Sequence, residues 1–242
     1  MIPFPCPLEP PETARLRAEV RRRLLCAWPA LACSPICKLE PAALDAMLRH
    51  YDALFFDGLF ARRLPQLCVV GTARMTRCAG KFCARIAADG ATDVQIRMST
   101  DFLFRLRKGP FFVNGVEALD ALEAFQLVFE HELCHAAEWA LYGTCSAHQS
   151  TFRALSHGLF QHRTCTHALP TRAQEAAALG VGVGARVSFP FEARTLCGVV
   201  SRVGKTASVM VPSAAGAWHD KRGRRYDKYT VPLSLLTPRR RG

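Results

Sequence analysis

Apolar residues recur at helical spacing through much of the first 160 residues and in short β-type runs over the last 60. From Glu12 to Trp28, Leu16, Val20, Leu24 and Leu25 fall at helical intervals, and arginines fill the other faces. This predicts a helix that either docks on the main domain or touches DNA, and the pattern does not choose between them. Pro29 and Pro35 then break the chain. A second helix is predicted from Pro41 to about Phe55, with Leu44, Met47, Leu48, Tyr51 and Leu54 as its stripe. Pro41 suits a first helical turn, and Gly58 stands where a C-cap could end the element. Leu67 to Val70 reads as a buried strand, and residues 83–87 and 94–98 as further short strands, with an Asp89-Gly90 turn between these two. A third helix is predicted from about Val116 to Tyr142. Asn114 would cap it, Glu117 would be its capping-box partner, and Leu119, Leu122, Phe125, Phe129 and Leu133 would face the core. Gly143 ends it, and a short helix follows over Thr151 to Phe160.

From Val183 the chain changes character. Gly180, Gly182 and Gly184 precede short β-type segments at 186–189, 198–203, 207–211 and 229–232. Several short strands in so few residues predict a small all-β barrel of SH3-like type. The fold class expected is α+β. The domains expected are an N-terminal arm with a basic amphipathic helix (1–38), a main domain (39–170), a linker (171–182) and a small β-barrel with a basic tail (183–242).

No apolar run is long enough to span a bilayer. The start, Met1 to Pro7, has no basic region and is broken by prolines, so no signal peptide is predicted. A cytoplasmic location is expected, nucleoid-associated in a bacterium. Cysteine occurs 11 times, an odd number with no C-x-x-C pair, which favours reduced thiols packed as small core residues. Cys165-Thr166-His167 could supply half of a second zinc site, but the other half is missing, which disfavours that reading.

Lys and Arg number 32 against 20 Asp and Glu, a net charge of +12. Such an excess favours polyanionic partners, above all nucleic acid. It is spread over Arg15 to Arg23, Arg62-Arg63, Lys221 to Arg225 and Arg239-Arg240-Arg241. In the C-terminal module Lys205, Lys221, Arg222, Arg224, Arg225, Lys228, Arg239, Arg240 and Arg241 are candidate phosphate contacts. Trp218, Tyr226 and Tyr229 interleave with them and would suit base stacking, although a place in the barrel core is the preferred expectation.

The segment with the sharpest chemistry is His131-Glu132-Leu133-Cys134-His135. On a helix, residues four apart share a face, so His131 and His135 can address one ion while Glu132 stands beside it as acid–base. A catalytic zinc needs a third protein ligand. The extended pattern H-E-x-x-H-x-x-G-x-x-H fails, because Glu138 and Leu141 stand where its glycine and histidine would be. No Asp or Glu lies between Trp139 and Gln174, so a carboxylate ligand would be Glu138 or a distant residue. The histidines left are His148, His157, His162 and His167. Spacing favours His148 modestly, with His157 its main rival.

Several motifs in order resemble the SprT-like (Spartan-type) metalloprotease family, from about Asp45 to Phe160. They are Tyr51-Asp52-Ala53-Leu54-Phe55-Phe56-Asp57-Gly58, then Met75-Thr76-Arg77-Cys78-Ala79-Gly80-Lys81, then Val94 to Ser99, the pentad, and His148-Gln149-Ser150-Thr151-Phe152. Gln149 departs from the glycine usual in the last motif, and a cysteine-rich zinc ribbon found in some members is missing. The resemblance implies a zincin-like domain with the H-E-x-x-H helix against a small sheet. It implies one Zn2+ held by His131, His135 and His148, with Glu132 as catalytic acid–base. It also implies hydrolysis of protein substrates in association with DNA, including DNA-crosslinked proteins. A DNA-binding adaptor that keeps a zinc site is the alternative. The oxyanion-stabilising residue stays open; Tyr142 and Arg153 are close in sequence only.

Overall fold

A computed structural model describes residues 5–86, 88, 92–106, 109–166 and 169–239. The chain forms two compact units, Met1–Leu169 and Pro170–Gly242. No helix among the described residues is long and apolar enough to cross a membrane.

In the first unit, helix α1 (Pro10–Ala27) buries Thr13, Leu16, Val20 and Leu24. Its arginines are largely committed to ion pairs. Arg17 reaches Glu130 with two bonds of 2.7 and 2.8 Å, Arg21 reaches Asp120 at 2.6 Å, and Arg22 and Arg23 share Glu19. Of the two roles left open for this helix, the structure shows docking, and the segment belongs to the first unit's core rather than to a separate arm.

Helix α2 (Pro41–Phe55) follows its predicted span and buries Leu44, Met47, Tyr51 and Phe55. Asp52 accepts the Phe60 and Ala61 N–H groups at 2.9 Å, which starts the short helix α3 (Leu59–Arg63). Three strands follow: β1 (Cys68–Thr72), β2 (Gly80–Ile86) and β3 (Thr92–Ser99). Their order is β1-β3-β2, with β1 parallel and β2 antiparallel to β3. The predicted Asp89-Gly90 turn and the last residue of the 83–87 strand lie outside the described residues. Ser99 caps helix α4 (Thr100–Arg105).

The predicted third helix begins later than expected. Residues Phe111–Val113 (β4) and Val116–Ala118 (β5) pair as a hairpin whose two-residue loop is Asn114-Gly115. Both loop residues have positive φ, 53° and 73°, the conformation Asn-Gly favours in tight hairpins. Asn114 therefore caps nothing; its side chain donates to the Leu127 carbonyl at 2.8 Å. Helix α5 (Ala121–Tyr142) starts instead at Asp120, whose side chain accepts the Glu123 N–H. Leu119 precedes the helix and is exposed rather than core-facing. Gly143, at φ 69°, ends α5 as predicted, and α6 (Ser150–Phe160) follows.

A buried polar cluster braces α5. Glu130 accepts from Arg17, from the Tyr51 hydroxyl at 2.8 Å and from His162 Nε2 at 3.0 Å. Burial alone would raise the Glu130 pKa, but Arg17 and His162 outweigh it and hold the carboxyl at about 2.

The second unit holds α7 (Arg172–Ala178), started by a Thr171–Gln174 capping box. The predicted linker 171–182 is thus partly helical, and Ala176 and Val181 join the second unit's core. Strands β6 (Arg186–Phe191), β7 (Arg194–Val203), β8 (Thr206–Pro212), β9 (Trp218–His219), β10 (Arg225–Pro232) and β11 (Thr237–Pro238) form one antiparallel sheet. Its order is β11-β6-β7-β8-β10-β9. Val187, Phe189, Val200, Ala207, Val209 and Val231 fill its core. The end strands pair only with β6 and β10 among the described residues.

Candidate metal centre

Helix α5 carries the pentad in its second half, so His131 and His135 share one face. The chain turns at Gly143 and returns through a short loop. Ala147 and His148, consecutive residues near its end, have φ of 48° and 69°. Two left-handed non-glycine residues in succession are uncommon and strained. They bring the His148 ring back to the helix. His148 Nε2 lies 3.0 Å from His131 Nε2 and 3.2 Å from His135 Nε2. Zinc with nitrogen ligands in tetrahedral geometry would separate those nitrogens by about 3.3 Å. A neutral imidazole carries one N–H and one lone pair, so three ring nitrogens facing one another are poorly served by mutual hydrogen bonds. They suit a shared cation. The donor set therefore fits a metal ion, and these three histidines form a group able to hold one.

The rings are fixed from below by Phe152 on α6. Its centroid is 4.8 Å from His131, 4.5 Å from His135 and 4.7 Å from His148. Burial, then repulsion from His148, pushes the His135 pKa down to about 4, which keeps its lone pair available near neutral pH.

Glu132 points at β2 instead of joining the histidines. Its Oε2 accepts the Phe82 N–H at 2.6 Å. Burial pushes its pKa up to about 7, with the Phe82 bond acting against the shift; a general base is most effective when its pKa lies near the working pH. This contact depends on Gly80. A Cβ there would lie 2.6 Å from Glu132 Oε1 and 2.8 Å from Val128 Cγ1.

Histidines and Glu132 open into a cleft of about 580 Å³, whose other walls include Phe82, Ala84, Trp139 and the thiols of Cys78, Cys145 and Cys165. Strand β2 forms its rim and, among the described residues, pairs only with β3. Ser99 N–H bonds to Ala79 O, so the alternation of an antiparallel ladder turns the main-chain groups of Gly80, Phe82 and Ala84 to the open edge.

The remaining candidates are placed as follows. His157 is exposed on α6 and stands apart from the group, whereas His162 is buried against Glu130. His167 lies outside the described residues. Gln149 has φ −78°, an ordinary value that needs no glycine; the left-handed turn falls on His148 instead. Tyr142 and Arg153 are exposed and do not line the cleft. In the second unit Lys205, Lys221, Arg222, Arg224, Arg225, Lys228 and Arg239 are all exposed, while Arg240 and Arg241 are outside the described residues. Three of these cations have side-chain partners among the described residues: Arg224 pairs with Asp220 at 2.8 Å, Lys228 lies 4.8 Å above the Trp218 ring, and the Arg239 guanidinium lies 2.9 Å from Cys197 Sγ. Arg239 continues the pairing of β11 through a bond to Arg186 O. Tyr229 packs partly against the core, but Trp218 is half exposed, contrary to the preferred expectation of a core position. Gly80 and Phe152 stand in the motifs quoted above but receive no role there, and the Phe82 N–H is not singled out at all. A glycine inside a strand was the available signal for the first, since it marks a close backbone approach. No protein-family model matches this chain, and no curated protein matches it.

Proposed function

We propose that this protein is a zinc-dependent metalloendopeptidase of SprT-like type that works on proteins associated with DNA. The observation that carries the proposal is that His148 Nε2 lies 3.0 Å from His131 Nε2 and 3.2 Å from His135 Nε2, with a buried carboxylate on the same helix. Zinc held there by His131, His135 and His148 would supply a Lewis acid that polarises a carbonyl and acidifies water. Everything else falls to the chain. Glu132 takes the proton of the attacking water and hands it to the leaving amine. Gly80 lets β2 approach, and Phe82 N–H aims Glu132. An extended peptide laid along the open edge of β2 would find main-chain partners at the Phe82 carbonyl and at Ala84, with the Phe82 N–H kept by Glu132, and its scissile bond would lie over the histidines. The net charge and the exposed cations of the second unit support DNA as the partner that brings substrate near, so that co-localisation rather than a side-chain pocket selects it.

Zinc-loaded protein incubated with a basic, histone-like substrate, with and without single-stranded DNA, tests the proposal. Cleavage that needs both zinc and DNA is expected. Cleavage indifferent to DNA would remove the DNA part, and zinc binding without cleavage would leave a DNA-binding adaptor.

A further inference from the structure

Glu138 stands three residues past His135 on α5 and is almost wholly buried. Its position near the pentad marks it as a possible ligand, but its contacts point elsewhere. Oε2 lies 3.6 Å from His135 Nδ1, the ring nitrogen opposite the one that faces His131 and His148. At that distance the contact is electrostatic rather than a hydrogen bond, and Nδ1 makes no hydrogen bond to any other described residue. The same carboxylate accepts the Ser146 N–H at 3.3 Å and the Ser146 hydroxyl on its other oxygen. Ser146 is two residues before His148, at the start of the left-handed pair Ala147–His148.

One buried carboxylate thus meets both the second ligand and the loop that carries the third. We propose that Glu138 is a positioning residue that sets the metal site by two routes: it fixes the His135 ring and tautomer through Nδ1, and through Ser146 it clasps the strained loop that presents His148. The inference rests on the three-histidine metal site proposed above. A metal at Nε2 leaves the proton on Nδ1, facing the carboxylate, which is how outer carboxylates orient ligating histidines and raise their basicity. The Ser146 bonds hold the two left-handed residues in a conformation the free loop would seldom visit. His135, Glu138 and Cys145 also have the donor types of a second metal group. The carboxylate's engagement with Ser146 favours the positioning role.

The test measures zinc affinity by competition with a chromophoric chelator, and the visible spectrum of the cobalt-substituted protein, in the full chain. Glu138→Gln is expected to weaken zinc about 10–100-fold and to alter the cobalt spectrum, and Glu138→Asp to recover part of the loss. Ser146→Ala should weaken zinc less, and combined with Glu138→Ala should add nothing to the effect of Glu138→Ala alone. Melting of the metal-free variants separates this from a general loss of fold, which would lower stability without a change in the cobalt spectrum. Wild-type zinc affinity in Glu138→Gln, or an additive double variant, overturns the proposal while leaving the three-histidine site standing. So does a second zinc equivalent that Cys145→Ser abolishes, because Glu138 would then be a ligand. If the wild type itself takes up no zinc while His148→Ala and wild type behave alike, both this proposal and the metal site fall.

Discussion

The two units solve the problem of burial differently. The first hides Asp52, Asp101, Gln126, Glu130, His131, Glu132, Glu138 and His162 inside an apolar core. The second hides no polar or charged side chain among the described residues, and its core is Val187, Phe189, Val200, Ala207, Val209, Val231 and a few neighbours. A buried polar group costs several kcal/mol unless it is paired, so the first unit must hold each of its own in a defined network. That network is what a catalytic site needs: rings and carboxylates that cannot turn away. The second unit shows no such interior among its described residues, and its Lys and Arg side chains lie on the surface, where charges are screened. On the proposed function, the contrast would divide the work within one chain: a fixed site in the first unit and an adaptable surface on the second.

Substitutions in the two units should therefore fail in different ways. Glu132→Gln is expected to lower peptide cleavage by about 10³-fold with zinc still bound, read by metal content and turnover of a protein substrate; full activity would sink the hydrolase proposal. Glu130→Ala leaves Arg17 buried without its carboxylate and should destabilise the first unit by about 3–5 kcal/mol, measured by denaturant unfolding of the zinc-free protein. Gly80→Ala pushes a methyl group against Glu132 and should reduce cleavage about 10²-fold, with zinc affinity held near wild type because no ligand moves. In the second unit, Val209→Ala removes only packing. About 2 kcal/mol of stability should go, from that unit's transition alone, with zinc affinity and cleavage of a short unstructured peptide unaltered. A loss of zinc affinity in Val209→Ala would erase the distinction.

Helices with a clean stripe were legible in the sequence: α2 and α6 fall within a residue of their predicted spans, because Leu44, Met47, Tyr51, Phe152 and Leu155 leave one face to bury. The start of α5 was not. Asn114 and Glu117 have capping-box spacing, but Asn114-Gly115 between valines is a stronger hairpin signal, and the two local preferences compete for the same residues. The first two histidines could be read from spacing. Spacing favours the third only modestly over His157, since what brings it back to the helix is a pair of left-handed residues in a loop bonded to Glu138, neither of which leaves a periodic trace. In the second unit β9 and β11 are each two residues long, too short for alternation to show, and α7 follows glycine-poor but stripe-poor sequence that read as a linker.

The smallest expected effect compares two carboxylates held by arginine at the surface of each unit. Asp120, the cap of α5, is lowered below its usual pKa: burial works against it, and Arg21 and the Glu123 N–H overcome that. Asp220, in the turn before β10, is lowered to about 2; desolvation again opposes the shift, and the Arg222 and Arg224 N–H groups, the Arg224 guanidinium and the Tyr226 hydroxyl outweigh it. Both are depressed acids, so each adds stability at a pH above its ordinary value, and that contribution is lost as pH falls through the folded value. For Asp220 the window runs from about 3.8 down to about 2. Asp220→Asn should lower the second unit's melting temperature slightly at pH 7 and much less near pH 2, whereas Asp120→Asn should act on the first unit and also loosen the α1–α5 contact. Melting each variant across that range checks it. A pH-independent difference for Asp220→Asn would mean that the turn is held by shape, through its bonds to the backbone N–H groups, and not by charge.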